Sequence, residues 1–221
     1  MDKFGDHSLV CPCGGDRTKR HNHLRNRIFH FAAGAGLNPE LEKPGLLQPR
    51  PFAGALPEDG VRQESPESRR PADVFIPRWR QGQPLAIDFA VTSGLRDVSA
   101  TVLNPSSVLT TYEDFKRTHL DTQALCAAEG LCFKPAVVEA RGGAWAPAAA
   151  TVFAELAKTK SLLTGEPAST VLHQLHQNLG VILHRENARA ALRRLCALDT
   201  EQWHMLLHSA TALQCTADDP A

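Results

Sequence analysis

Residues 69–92, RRPADVFIPRWRQGQPLAIDFAVT, set the fold. They predict two β-strands joined by a turn. The first covers 72–76 and is short and apolar. The second covers 84–92 and is almost continuously apolar, the pattern of a strand buried on both faces. Between them, 77–83 holds Pro77, Gly82 and polar residues, a turn composition. Each strand carries an acid, Asp73 and Asp88, where an apolar residue is expected. A carboxylate inside a buried strand is costly unless it is paired or binds a metal. Two of them on neighbouring strands can converge on one cation.

The chain around this hairpin has 221 residues, 43% of them hydrophobic, which suits one medium domain or a domain with appendages. The formal net charge is zero, so no overall basic field marks the chain as a nucleic-acid binder. A local cleft can still be basic in a neutral protein. No apolar run reaches the ~20 residues of a membrane span, and the first residues have no apolar stretch of the signal-peptide kind. The six cysteines are scattered and suggest no disulfide framework. The expectation is a reduced, nuclear or cytoplasmic protein, neither secreted nor membrane-bound.

Upstream, His7, Cys11, Cys13 and His21 offer four zinc-ligand types, although the C-x-C spacing is unusual. Residues 20–36 predict a helix capped by Asn22, with Leu24, Ile28, Phe31 and Ala32 on its apolar face. Arg25 and Arg27 are expected on its solvated face. Arg20 and His21 would precede the cap, near an anion site. Glu40 and Glu42 lie in a short extended piece between Pro39 and Pro44. A Pro- and Gly-rich stretch at about 44–70 predicts a flexible insertion. Downstream, 110–129 predicts a helix ended by Gly130, and 131–139 a strand with an edge or bulge at Pro135. Helices follow over 147–163, 169–197 and 200–213. The order gives an α/β fold with a small mixed sheet flanked by helices. There is no Walker loop, no GxGxxG after a strand, and no GxSxG or HExxH motif.

The chemistry therefore rests on carboxylates. Glu42 (or Glu40), Asp73 and Asp88 lie on three successive extended segments and can gather at one end of a sheet. Such oxygens suit Mg²⁺ or Mn²⁺, and Lys116 on the following helix is the best candidate for a supporting cation. The plainer alternatives are that Asp88 caps a turn or pairs with Arg78 or Arg80, and that Asp73 pairs with Arg70. His204 and His208 stand at helical i, i+4 spacing without an evident third ligand.

The ordered set His7-x3-Cys11, Arg20-His21-Asn22, Glu42, Arg70-Pro71-Ala72-Asp73-Val74, Ile87-Asp88-Phe89-Ala90-Val91 and Lys116 resembles the restriction-like endonuclease of the PD-(D/E)xK superfamily. It is similar in particular to the version that follows the reverse transcriptase in site-specific non-LTR retrotransposons. The match covers roughly residues 7 to 140. The resemblance implies a partial zinc-knuckle segment over 1–21, with structural Zn²⁺ on His7, Cys11, Cys13 and His21. It implies a restriction-endonuclease-like core over 22–145 and a C-terminal helical extension over 146–221. It further implies Mg²⁺-dependent nicking of DNA. Glu42, Asp73 and Asp88 would be the metal ligands, Lys116 would lie at the water or scissile phosphate, and Arg20, His21 and Asn22 would support the site or the DNA. The product would be a 3′-hydroxyl that primes reverse transcription. Element RNA and a reverse transcriptase domain outside this chain would be further partners. Two departures stand out: Ala72 separates Pro71 from Asp73, and Ala90 stands where the superfamily lysine usually follows the second acid, so Lys116 must replace it. Two other readings remain. One is a non-catalytic nucleic-acid-binding or structural remnant of such an element; the other is a helical interaction module over 147–213.

Overall fold

The computed structural model describes residues 7, 9, 13–48, 70–93 and 105–195. Strands β1 (Glu40–Leu41), β2 (Val74–Ile76), β3 (Leu85–Thr92) and β4 (Cys132–Glu139) form one sheet in that spatial order. The β1–β2 and β2–β3 pairs are antiparallel and β3–β4 is parallel, so the sheet is mixed. Around it lie α1 (Asp16–Ala33), α2 (Pro105–Thr118), α3 (Thr122–Ala128), α4 (Pro147–Thr164) and α5 (Ala168–Leu195). None of the described helices is long and apolar enough to cross a membrane.

The continuous apolar run of β3 follows from its central place. Successive side chains alternate between the two faces of a strand, and both faces are covered here. Leu85, Ile87 and Phe89 pack with Leu24, Ile28 and Phe31 of α1, Phe153 and Leu156 of α4, and Leu175, Leu179 and Leu183 of α5. On the other face Ala86 meets Phe75, Phe133 and Cys126, and Ala90 meets Leu109 and Val137. A parallel partner for β3 requires a crossover connection, and α2 and α3 lie within it. Among the described strands β4 is at the edge, where the missing N–H of Pro135 is tolerated. The two helices expected as a C-terminal extension, α4 and α5, thus contribute to the main core.

Several boundaries differ from the sequence expectation. The first helix begins at Asp16, and Asn22, Arg20 and His21 lie within it instead of at its start. The reason is tertiary: the Asp16 carboxylate is buried at the helix start by ion pairs with Arg193 and Arg194 of α5. The neighbouring Gly14 (φ 69°) lies where an added Cβ would overlap the Arg193 guanidinium. Arg25, expected on a solvated face, is buried against Glu42. The helix expected over 110–129 divides in two, because Leu120 and Asp121 adopt left-handed backbone with φ 56° and 54°. Leu120 is exposed at the break. The first strand of the hairpin shortens to Val74–Ile76. Most of the 44–70 stretch, the helix expected over 200–213, His204 and His208 lie outside the described residues.

Candidate active site

The site grows from the way β2 ends. Val74 pairs with Ile87, and the N–H of Asp73 donates to the carbonyl of the same Ile87 at 2.8 Å. Two residues then oppose one, which is a bulge, and a bulge re-aims the side chain it carries. The Asp73 carboxylate turns to the neighbouring strand, and its Oδ2 accepts the Phe89 N–H at 2.6 Å. The same oxygen lies 3.1 Å from Nε2 of His21 on α1. Asp88 falls between Ala86 and Ala90 on the face covered by α2, and Lys116 Nζ reaches its Oδ2 at 2.9 Å. Each acid is therefore held by one basic side chain, and the two come from helices on opposite faces of the sheet.

Beyond the end of β2, β3 continues and borders a cleft of about 350 Å³. Its walls are Arg17, Thr18, Arg20 and His21 from α1, Phe89, Ala90 and Val91 from β3, and Tyr112 and Lys116 from α2. Arg17 with His21, and Tyr112 with Lys116, stand at i, i+4 spacing, which puts each pair on one helix face. Neither Arg17 nor Tyr112 is among the candidates the sequence offers, Arg17 because it lies upstream of the helix expected over 20–36. The i, i+4 spacing to His21 and Lys116 was the available signal.

Burial and charge split the two carboxyls. Burial by itself would raise Asp73. The hydrogen bond and charge of His21, the Phe89 N–H and the charge of Lys116 outweigh it and hold the carboxyl below the usual range. Burial pushes Asp88 up, the Lys116 charge offsets this in part, and the Asp73 charge adds to the rise. Lys116 is opposed by burial but raised overall, chiefly by Asp88, and stays an ammonium. Burial opposes protonation of His21, yet the hydrogen bond and charge of Asp73 raise it overall. Its Nδ1 faces Asn22 Oδ1 at 3.2 Å, so both ring nitrogens meet oxygens, which the imidazolium satisfies with two donors.

The remaining expected site residues go elsewhere. The Glu42 carboxylate is not part of the acid pair. It is ion-paired with Arg25 and, at 3.0 Å, with Arg70, and it joins the site through its backbone N–H, which donates to Asp73 O at 3.1 Å. Glu40 pairs with Lys43 at 2.8 Å. Arg20 is 4% exposed and donates to Asn187 Oδ1 and Leu9 O, each at 2.7 Å, so its head group ties α1 to α5. Arg80 contacts Glu155 at 3.8 Å and Arg70 contacts Glu42, so neither pairs with the two central acids. Of the zinc-ligand types, His21 is committed to Asp73 and Asn22, and His7 is exposed. Cys11 and the Cys13 side chain lie outside the described residues.

Among the described residues no group of three or more His, Cys, Asp or Glu side chains is gathered to hold a metal ion. A hydrated Mg²⁺ needs fewer, since it keeps several waters and is bound through one or two carboxylates. Asp73 and Asp88 are carboxylates of the kind such an ion takes. Each commits Oδ2 to its partner, and among the described residues no hydrogen bond occupies Oδ1 of either. Neither Oδ1 is a sealed, unsatisfied atom. The oxygens on offer are Oδ1 of Asp73 and Oδ1 of Asp88, whose partners His21 and Lys116 stand in the cleft wall. Comparison of the chain with models of known protein families and with curated proteins finds no match.

Proposed function

We propose that this chain is a Mg²⁺- or Mn²⁺-dependent endonuclease that nicks DNA. Its core would be restriction-like, of the kind that follows the reverse transcriptase in non-LTR retrotransposons. The observation that supports this reading is Asp73 just before β2 and Asp88 on the adjacent β3, held by His21 and Lys116, which stand in the wall of a cleft with Arg17. A divalent cation bound there would polarise a phosphoryl oxygen and make a neighbouring water more acidic. Asp73, held ionised, supplies a permanent anionic oxygen. Asp88 supplies the second. Lys116 donates to the attacking water or to a non-bridging phosphate oxygen, where developing negative charge is stabilised. His21 positions Asp73. Arg17 contacts the DNA backbone, which makes binding fall with salt. Element RNA and a reverse transcriptase acting on the new 3′-hydroxyl belong to the same proposal.

The test is nicking of supercoiled DNA with Mg²⁺, with Mn²⁺ and with EDTA. The expected result is nicking with either metal, none with EDTA, and a loss of roughly 10²-fold or more in Asp73→Asn and Asp88→Asn. Circular dichroism should show both variants folded. Absence of nicking by the unaltered chain under all three conditions would overturn the proposal. One observation favours the rival reading, a nucleic-acid-binding remnant without chemistry: each acid already has an internal cation, so the pair is neutralised without metal. Calorimetry with Mn²⁺ separates the two, since the remnant binds no metal at Asp88.

A further inference from the structure

From the cleft, α2 and the turn that follows it carry a row of rings outward. Tyr112, Phe115 and His119 follow one another at i, i+3 and i, i+4 spacing, the spacing of neighbours on one helix face. The Tyr112 and Phe115 ring centres are 5.6 Å apart, and those of Phe115 and His119 are 4.9 Å apart with their planes tilted by 31°. Tyr112 is a wall of the cleft beside Lys116. Phe115 is 48% exposed and His119 is exposed. The core does not account for this row: the apolar cluster under α2 takes Leu109 and the near side of Tyr112, while Phe115 adds nothing to it. Nor does an acid spoil it. Glu113 is buried and receives the Ala148 N–H, and Arg117 draws on both Glu113 and Asp114.

We propose that this row is a stacking platform for a single strand of nucleic acid leaving the cleft. Every base has a π-face, so exposed rings next to a cationic groove take single strands with little regard to sequence. The rings here are already ordered against one another, which lowers the entropy lost on stacking. Seven residues of helix span about 10 Å, enough for two or three nucleotides at about 3.4 Å each. Charge selects the occupant: the row starts at the cleft whose wall carries the exposed Arg17, which would receive a phosphate, beside the paired His21 and Lys116. The inference rests on the nucleic-acid reading of the cleft and requires no cleavage.

The test is therefore run on the full chain in EDTA, by fluorescence anisotropy of a labelled oligothymidine of about 12 nucleotides, within the site sizes of single-strand binders. Phe115→Ala should weaken binding about 10-fold. Phe115→Trp should keep or strengthen it. The dependence on salt should be unchanged in both, because no phosphate contact is removed. The same affinity for Phe115→Ala and the unaltered chain would overturn the proposal. So would absence of oligothymidine binding, or a self-association in sedimentation that Phe115→Ala abolishes, since the row would then be a contact between copies of the chain. Phe115-dependent binding in a chain that does not nick DNA leaves the platform standing and removes the nuclease. Nicking without Phe115 dependence does the reverse.

Discussion

Replacing Lys116 by methionine leaves the Asp88 carboxylate in the sheet without its counter-charge. At 2.9 Å the pair attracts by about 6 kcal/mol at an effective dielectric constant of about 20. Desolvation of both ions takes back most of this. Breaking a fully buried pair costs about 3–5 kcal/mol, and an exposed pair is worth about 0–1 kcal/mol. With Lys116 and Asp88 side chains 24% and 23% exposed, the expected loss for Lys116→Met is about 2 kcal/mol. At a urea slope of about 2–3 kcal/mol per molar the midpoint falls by about 0.7–1 M. The loss has a defined pH dependence. Asp88 has its native carboxyl raised by burial, and removing Lys116 raises it further. Stability from a raised carboxyl is fully present below the unfolded value, about 3.9, and is lost as pH rises through the native value. The variant should therefore lose about 2 kcal/mol at about pH 8 and roughly half of that at about pH 4.5. Adding Asp88→Val removes the stranded charge and should restore most of the loss. Urea titrations of the two variants at both pH values decide the matter. An equal loss at the two pH values, or a double variant no more stable than Lys116→Met, would refute the account of a charge pair held in the sheet.

Three further outcomes are expected. In a nuclear magnetic resonance titration, His21 should deprotonate above the usual histidine range and fall back in Asp73→Asn; its contribution to stability is present below about pH 6.5 and fades as pH rises through the native value. Glu42→Gln should leave nicking within about threefold and lower stability by about 1 kcal/mol, because the carboxylate serves Arg25 and Arg70; a loss of nicking as deep as that of Asp88→Asn would put Glu42 back among the metal ligands. Asp16→Ala strands Arg194 and loosens α1 from α5, and thermal or urea unfolding should report a loss of about 3 kcal/mol, with little change if the Arg side chains relax into water.

The hairpin and the central strand are legible along the chain, because a strand covered on both faces must be apolar along its length, as Leu85 to Val91 are apart from Asp88. The sequence determined the inward face of α1, since Leu24, Ile28 and Phe31 recur at helical spacing and all three are buried. It also marked Asp73, Asp88 and Lys116, because charges in or beside an apolar strand need a partner. What it left open were the partners. Glu42 is drawn to Arg25 and Arg70, 17 and 28 residues away, and Arg20 to Asn187, 167 residues away. Local periodicity carries no information about such distances. The bulge at Asp73, which brings its carboxylate to Phe89 and His21, likewise depends on where β2 meets β3. Hydrophobic pattern is a property of each segment and is legible along the chain. Charge pairing is a property of which segments meet, and the packed sheet and helices decided it.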